Sequence, residues 1–360
     1  MAETSKIEWT DSTWNPWIGC TRISPACDHC YAAHSAPARI QGVHWGHGEQ
    51  RRRTTERNWG QPLRWQRQSA SFFAANGRRQ RVFCASLADI FDNQVDVQWL
   101  VDVLAILMQT PDLDWLLLTK RIGIVVNRLR AAAAYAAGLP DSAELAAWIR
   151  AWVDGQPPAN VWIGATVCNQ DEATRDIPKL LAVPAATRFL SIEPLLGPIS
   201  LRGLAGGQAG SLDWAAGLSW VIVGGESGPQ ARPMHPVWPQ LLRDECAEAN
   251  IPFLFKQWGE WHTTAYNAST GRAVFRQLEN YQHWINKSAS WADGGICLDR
   301  FGNELRVDLD LAAASDPCAF PVTIMHRVGK STAGRLLDGR LHDAYPEQAV
   351  QALPAPNLIR

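Results

Sequence analysis

Six short runs of almost unbroken apolar character recur between residues 82 and 258: VFCASLAD (82–89), DWLLLTK (114–120), VWIGATV (161–167), RFLSIE (188–193), WVIVGGE (220–226) and PFLFKQW (252–258). A strand with one wet face alternates apolar and polar residues. Runs apolar at nearly every position fit strands buried on both faces, as in a parallel sheet covered by helices. Helix-like stretches fall between them at about 96–109, 122–136, 171–182 and 236–249. That β-α-β-α order predicts a parallel α/β fold. A short apolar run at 12–19, broken by Pro16, adds a first strand and brings the count to six or seven. No G-x-G-x-x-G follows it, which disfavours a flat dinucleotide-binding sheet. The expected fold is therefore a parallel (β/α) barrel, partial or near-complete.

Two insertions interrupt the alternation. Ala131–Asn160 is alanine-rich and reads as helical around AELAAWIRAWV, and Gly203–Leu218 is glycine-rich and reads as a loop. After Trp261 the chain becomes polar and turn-rich, as in small antiparallel hairpins. The expected division is a barrel over 1–261 and a C-terminal cap over 262–360, with a loosely held tail from Gln351. A chain of 360 residues has length enough for this. With 46% apolar and 19% charged residues the composition is that of a soluble globular protein. No run approaches the ~18 apolar residues of a membrane helix, and MAETSKIEWTDS lacks a signal-peptide core. The expected location is the cytoplasm.

Three of the eight cysteines cluster within WNPWIGCTRISPACDHCYA, as Cys20, Cys27 and Cys30 in a C-x6-C-x2-C spacing. Three thiolates on one loop suit an iron–sulfur cluster with one iron left open, or a metal ion. A structural zinc completed by His34 or His29 is the competing reading. A disulfide needs an oxidising compartment, to which nothing in the chain points.

This stretch resembles the N-terminal signature of a phage- and prophage-associated three-cysteine-motif family, itself similar to radical S-adenosylmethionine (SAM) enzymes of the spore photoproduct lyase type. Further blocks carry the resemblance along most of the chain: ADIFD, LLLTKR, FLSIEPLLGPI, WVIVGGESGPQARPM, FLFKQWG and GKSTAGRLLDGR. The sequence departs from the usual C-x3-C-x-aromatic-C in its longer first gap and in His29, which holds the aromatic slot. The resemblance implies a [4Fe-4S] cluster on Cys20, Cys27 and Cys30, S-adenosyl-L-methionine as second cofactor, and a 5′-deoxyadenosyl radical as the reactive species. It also implies an electron donor of the flavodoxin or ferredoxin type and a three-cysteine-motif partner protein.

In such barrels the active site lies at the C-terminal strand ends. Polar residues gather there: Ser86 and Asp89, then Thr119, Lys120 and Arg121, Thr166 and Asn169, Glu193, Glu226, and Lys256. By position, Ser86 and Asp89 are expected to meet the amino group of SAM. Thr166, Asn169 and Glu193 are candidates for its ribose and carboxylate, and His29 or Tyr31 for its adenine. The GGE string resembles a radical-SAM segment that binds the same amino group, but it follows the sixth strand instead of the second, so Glu226 is not given that role. Glu193 before Pro194 also has a plain reading as a helix cap, Lys120-Arg121 as a solvated strand exit and GGES as a tight turn. Cys168 reads either as a buried apolar cysteine or as a hydrogen-atom donor to a substrate radical.

Residues 39–81 hold ten arginines, no lysine and two acids, with Trp45, Trp59 and Trp65 interleaved, in a chain whose net charge is −1. Arginine with tryptophan suits phosphates and unstacked bases. The alternative is a solvated arginine face over a tryptophan core. The expected nucleic-acid contacts are Arg51, Arg52, Arg53, Arg57 and Trp59, joined by Lys120, Arg121, Arg232 and Lys256 at the mouth. GKSTAGRLLDGR (329–340) lacks the first glycine of a phosphate loop and reads as a basic segment over the barrel mouth. The leading function is a radical SAM enzyme that repairs or modifies a nucleic acid or nucleotide. The alternatives are a non-catalytic nucleic-acid- or partner-binding module with structural zinc, and a radical SAM enzyme acting on a peptide or small metabolite.

Overall fold

The computed structural model describes residues 4–40, 42–204, 210–211, 213–307 and 309–346. Seven parallel strands form one sheet in sequence order: β1 (Ser12–Trp14), β2 (Gln80–Cys84), β3 (Leu113–Thr119), β4 (Val161–Thr166), β5 (Thr187–Ile192), β6 (Trp220–Gly224) and β7 (Phe253–Gln257). Each strand pairs only with its sequence neighbours, and the sheet curls into a half-barrel wrapped by helices. This is the expected partial barrel. Strands end one to five residues before the apolar runs do, because the last residues of each run turn into the mouth. Among the described residues no helix is long and apolar enough to cross a membrane.

The helices outside the sheet are α1 (Gln61–Asn76), α2 (Val97–Gln109), α3 (Val125–Ala137), α4 (Ala143–Val153), α5 (Gln170–Ala182) and α6 (Val237–Glu248). Their buried residues recur at helical spacing, as in Leu100, Val103, Leu104 and Leu107 on α2. They cover the outward positions Val82, Trp115, Leu117, Val161 and Ile163 in one large core. The helical reading of the first insertion is met by α4. Of the second insertion only part is described, including a 3-10 turn at Asp213–Gly217.

Successive residues on a strand point to opposite faces, so the inward set can be followed strand by strand. At its lower end it is Phe83, Leu116, Trp162, Phe189, Trp220 and Leu254, packed with Trp9 in a separate apolar cluster. Two or four residues further along come Leu118 and Lys120, Thr166, Ser191 and Glu193, and Lys256. The inside of the half-barrel thus passes from an aromatic floor to a polar rim. Gly164 leaves room for that floor, since a Cβ there would stand 2.3 Å from Phe189 Cζ.

After Gln257 the chain builds a small antiparallel sheet, β8 (Trp261–His262), β9 (Gln277–Leu278), β10 (Ile296–Leu298) and β11 (Val322–Arg327), with α7 (Tyr281–Trp291) against it. It has its own core around Leu278, Trp284, Phe320 and Ile324. Thr323 meets buried His235 at 2.8 Å and ties this sheet to the residues before α6.

The GKSTAGRLLDGR segment does not cover the mouth. It leads residues 334–345 along the open edge of β7, where Phe255 N–H donates to His342 O at 2.9 Å and Leu254 bridges Asp343 antiparallel. Tyr345 then donates to Glu8 O at 2.8 Å, joining the far edge of the sheet. An exposed strand edge carries a row of unpaired backbone groups, and this return satisfies part of it. The tail from Gln351 lies outside the described residues.

Candidate active site at the mouth of the half-barrel

A cavity of about 140 Å³ opens at the C-terminal ends of the strands. Cys20, Cys27 and Cys30 line it together with Ser86, Asp89, Lys120, Arg121, Thr166, Glu193, Lys256 and Tyr31. Eleven of the residues singled out from strand ends and the cysteine loop therefore share one wall-to-wall space, closed below by Trp9, Phe83 and Leu118. Thr21, Arg22, Trp45 and Ser191 also line it and were not singled out. Ser191 could have been found from the inward parity it shares with Glu193; the other three lie on loops without a period.

All eight cysteines carry free thiols. The Cys20 thiol is pushed up to about 12, by burial first and by the Asp89 charge next, with Arg121 opposing. Arg121 is buried on Asp89 at 3.1 Å and stands 3.8 Å from Asp92. Its guanidinium also reaches Cys20 Sγ at 3.5 Å and Thr21 O at 3.1 Å. Among the described residues no three His, Cys, Asp or Glu side chains converge on one metal position.

Other roles shift once partners are counted. Asp89 does line the cavity, but it already accepts from Thr119 Oγ1 at 2.7 Å, Lys120 N at 3.0 Å, Phe91 N at 3.0 Å and Arg121 at 3.1 Å. Its carboxylate is spent on shaping the end of β3. Glu193 pairs with Lys256 at 3.1 Å and accepts from Ser191 at 3.3 Å. Ser86 accepts from Asn15 at 3.0 Å, and Tyr31 donates to Ser86 O at 3.0 Å.

Several expected site residues lie elsewhere. Asn169 caps α5 by accepting from Glu172 N at 2.9 Å, because the first turn of a helix has unpaired N–H groups. Cys168 is fully buried outside the cavity, 3.9 Å from Ser24 Oγ of the cysteine loop. Burial pushes its thiol up to about 12. His29 turns away from the cavity to Glu226, at 3.2 Å.

The nucleic-acid set changes most. Arg51 is buried and holds Asp92 at 2.8 Å, so it presents no charge to solvent. Trp59 is buried beneath Arg53, whose guanidinium stacks 3.8 Å from its ring and pairs with Asp102 at 2.7 Å. Arg232 is tied to Glu226 and Asp28. Arg121 and Lys256 are paired inside the mouth. Arg52 and Arg57 are exposed, and Lys120 lines the cavity. A buried charge is stable only when paired, so arginines interleaved with core tryptophans were drawn inward to acids.

Residues 4–346 match the model of a family described as "Protein of unknown function (DUF5131)". No curated protein matches the chain. Two single-substitution mutants of spore photoproduct lyase are similar among solved structures. One is 12% identical, with 76% of this chain and 67% of that chain covered at a TM-score of 0.33. The other is 11% identical, with 76% and 71% covered at a TM-score of 0.31. The match over nearly the whole length places this chain in the DUF5131 family.

Proposed function

We propose that this chain is a radical SAM enzyme whose Cys20, Cys27 and Cys30 hold a [4Fe-4S] cluster at the mouth of the half-barrel. The observation that carries the reading is that all three thiols open into one cavity at the C-terminal strand ends, beside cations. The donor set fits such a group. A single zinc ion needs every ligand at about 2.0–2.3 Å from one point, whereas a cubane distributes its thiolates over different irons and asks for less convergence. Four cations, Arg22, Lys120, Arg121 and Lys256, line the cavity against two carboxylates, Asp89 and Glu193. That positive excess opposes the burial and the Asp89 charge that push the Cys20 thiol up.

When bound, cluster and SAM would supply one-electron chemistry at a substrate C–H bond. The protein's part is to bind, orient and exclude water. Lys120, which lines the cavity, is suited to the SAM carboxylate. Glu193, held by Ser191 and Lys256, is suited to ribose hydroxyls. The floor of Trp9, Phe83 and Leu118 keeps the lower end dry.

A nucleic acid or nucleotide remains the leading substrate class, through Arg52, Arg57 and the cations of the mouth. The burial of Arg51 and Trp59 and the pairing of Arg53 and Arg232 favour a second reading, a small molecule or peptide that enters the cavity alone. Anaerobic reconstitution tests the first claim. About four irons per chain and a broad band near ~400 nm bleached by dithionite are expected, lost in Cys27→Ala. Stoichiometric zinc under aerobic and anaerobic purification alike would overturn it. For the substrate, Arg52→Ala with Arg57→Ala should lower nucleic-acid affinity and flatten its salt dependence. Unchanged binding leaves the small-substrate reading.

A further inference from the structure

The cysteine loop leaves β1 at one edge of the sheet, yet it is gripped from β6, near the other edge. Glu226 follows β6, and its carboxylate is 5% exposed. It accepts from Arg232 backbone N–H at 2.8 Å, Nε at 2.9 Å and Nη2 at 2.7 Å. It also meets His29 Nδ1 at 3.2 Å. Arg232 extends the grip. Its Nη1 donates to Asp28 Oδ2 at 3.1 Å and its Nη2 to Pro25 O at 2.9 Å. Every one of these contacts lands between Pro25 and His29, beside Cys27 and on both residues separating it from Cys30.

The loop's own hydrogen bonds are short-range. Cys27 N–H donates to Ser24 O at 2.8 Å, Asp28 N–H to Pro25 O at 3.2 Å and Cys30 N–H to Cys27 O at 3.4 Å. Such turns fix the internal shape of the segment but not its position over the cavity. Ordering the backbone costs conformational entropy, so the position must come from contacts to the rest of the fold. On this flank the Glu226–Arg232 pair supplies them.

We propose that Glu226 and Arg232 are positioning residues that latch the cysteine loop over the mouth of the half-barrel and set where Cys27 and Cys30 stand. The functional weight of this rests on the reading of those cysteines as cluster ligands; the latch itself does not. It gives the GGE string a residue-by-residue account. A Cβ at Gly224 would stand 2.7 Å from Glu193 Oε1, and one at Gly225 only 1.9 Å from Trp258 O. Gly225 lets the chain leaving β6 run against the backbone after β7, and Gly224 leaves room for Glu193 beyond β5, so Glu226 leaves the sheet from a fixed point. Burial alone would push the Glu226 carboxyl up, but the hydrogen bonds from Arg232 and His29 outweigh it and hold the group below the usual carboxylate range. A carboxylate and a guanidinium in bidentate contact form a rigid, directional pair.

Hydrogen exchange on the metal-free full-length chain tests the latch. In Arg232→Met the amides of Cys27, Asp28 and Cys30 should exchange at least about tenfold faster, with β3–β5 unchanged. Asp28 is 52% exposed at its side chain, so Asp28→Asn cannot unfold the barrel. It should give a smaller acceleration, about threefold, and so covers the case in which Arg232→Met misfolds. On reconstituted protein, Arg232→Met should shorten the survival of the ~400 nm band under chelator at least about fivefold. Unchanged loop exchange in both variants would overturn the latch. Faster exchange in a chain whose wild type binds no iron would leave the latch standing and overturn the proposed cofactor.

Discussion

Removing Arg121 is the most direct probe of how the mouth is held. Its side chain is 6% exposed, as is that of Asp89, and Asp92 is fully buried. Arg121→Met keeps most of the volume and deletes the charge, together with bonds to Cys20 Sγ and Thr21 O. Breaking a buried pair costs about 3–5 kcal/mol, because the remaining charge is left without its partner. Here the acids keep other donors: Thr119 and two backbone N–H groups on Asp89, and Arg51 on Asp92. The expected loss is therefore at the low end, about 3 kcal/mol at pH 7. Asp89→Asn added to Arg121→Met should recover about 1–2 kcal/mol, since the stranded charge is then gone. Urea unfolding followed by tryptophan fluorescence at pH 7 reads both variants. A loss under about 1 kcal/mol in Arg121→Met, or no recovery in the double variant, would refute the reasoning.

Two further predictions concern the frame. His235 and His262 are both buried neutral, and burial lowers each imidazole from 6.5 to about 4. The folded value lies below the unfolded one, so stability is full above pH 6.5 and is lost as pH falls from 6.5 toward 4, by about 3 kcal/mol for each group. His235→Gln should remove about half of the wild-type slope in urea midpoint over that window; an unchanged slope would show the imidazole charging freely. Gly164→Ala places a Cβ against the Phe189 ring, within 2.3–2.6 Å of three of its atoms. A ring packed between Trp9 and Trp220 cannot yield cheaply, so about 1–3 kcal/mol should be lost in thermal unfolding, and a neutral result would show that the floor has slack.

The sheet was legible because its signal is repeated seven times and depends only on burial of both faces. Each apolar run became a strand, and the polar residues ending the runs met in one cavity. Parity made that outcome readable, since Leu118 and Lys120, or Phe189, Ser191 and Glu193, must share the inward face once one of them does. Partnership is what the sequence could not show. Asp89 looks like a ligand-binding carboxylate until Thr119, Lys120 and Arg121 are seen to occupy it. Arg51 and Trp59 look like a nucleic-acid surface until Asp92 and Arg53 are seen to take them. For Asp89 and Arg51 the deciding neighbour is 30 or more residues away, and no local pattern announces it; for Trp59 it is Arg53, six residues earlier. Asn169 is different: a polar residue three before Glu172 at a helix start carries the signature of a cap, and it does cap α5.

The six-residue gap between Cys20 and Cys27 looks anomalous beside the shorter spacing of the family it resembles, and the structure gives it a use. The segment forms the turn Ser24–Pro25–Ala26, where the Ser24 hydroxyl accepts from Ala26 N at 3.1 Å. Three anchors meet around it. Arg121 and Arg51 hold Thr21 on the β3 side, Cys168 packs on Ser24 from the end of β4, and Arg232 takes Pro25 O from beyond β6. These contacts fall on Thr21, Ser24 and Pro25, a stretch that a three-residue gap after Cys20 could not hold. The longer loop therefore reaches over the mouth, from the end of β3 past β4 to the segment beyond β6, and the extra residues are the ones that carry its anchors.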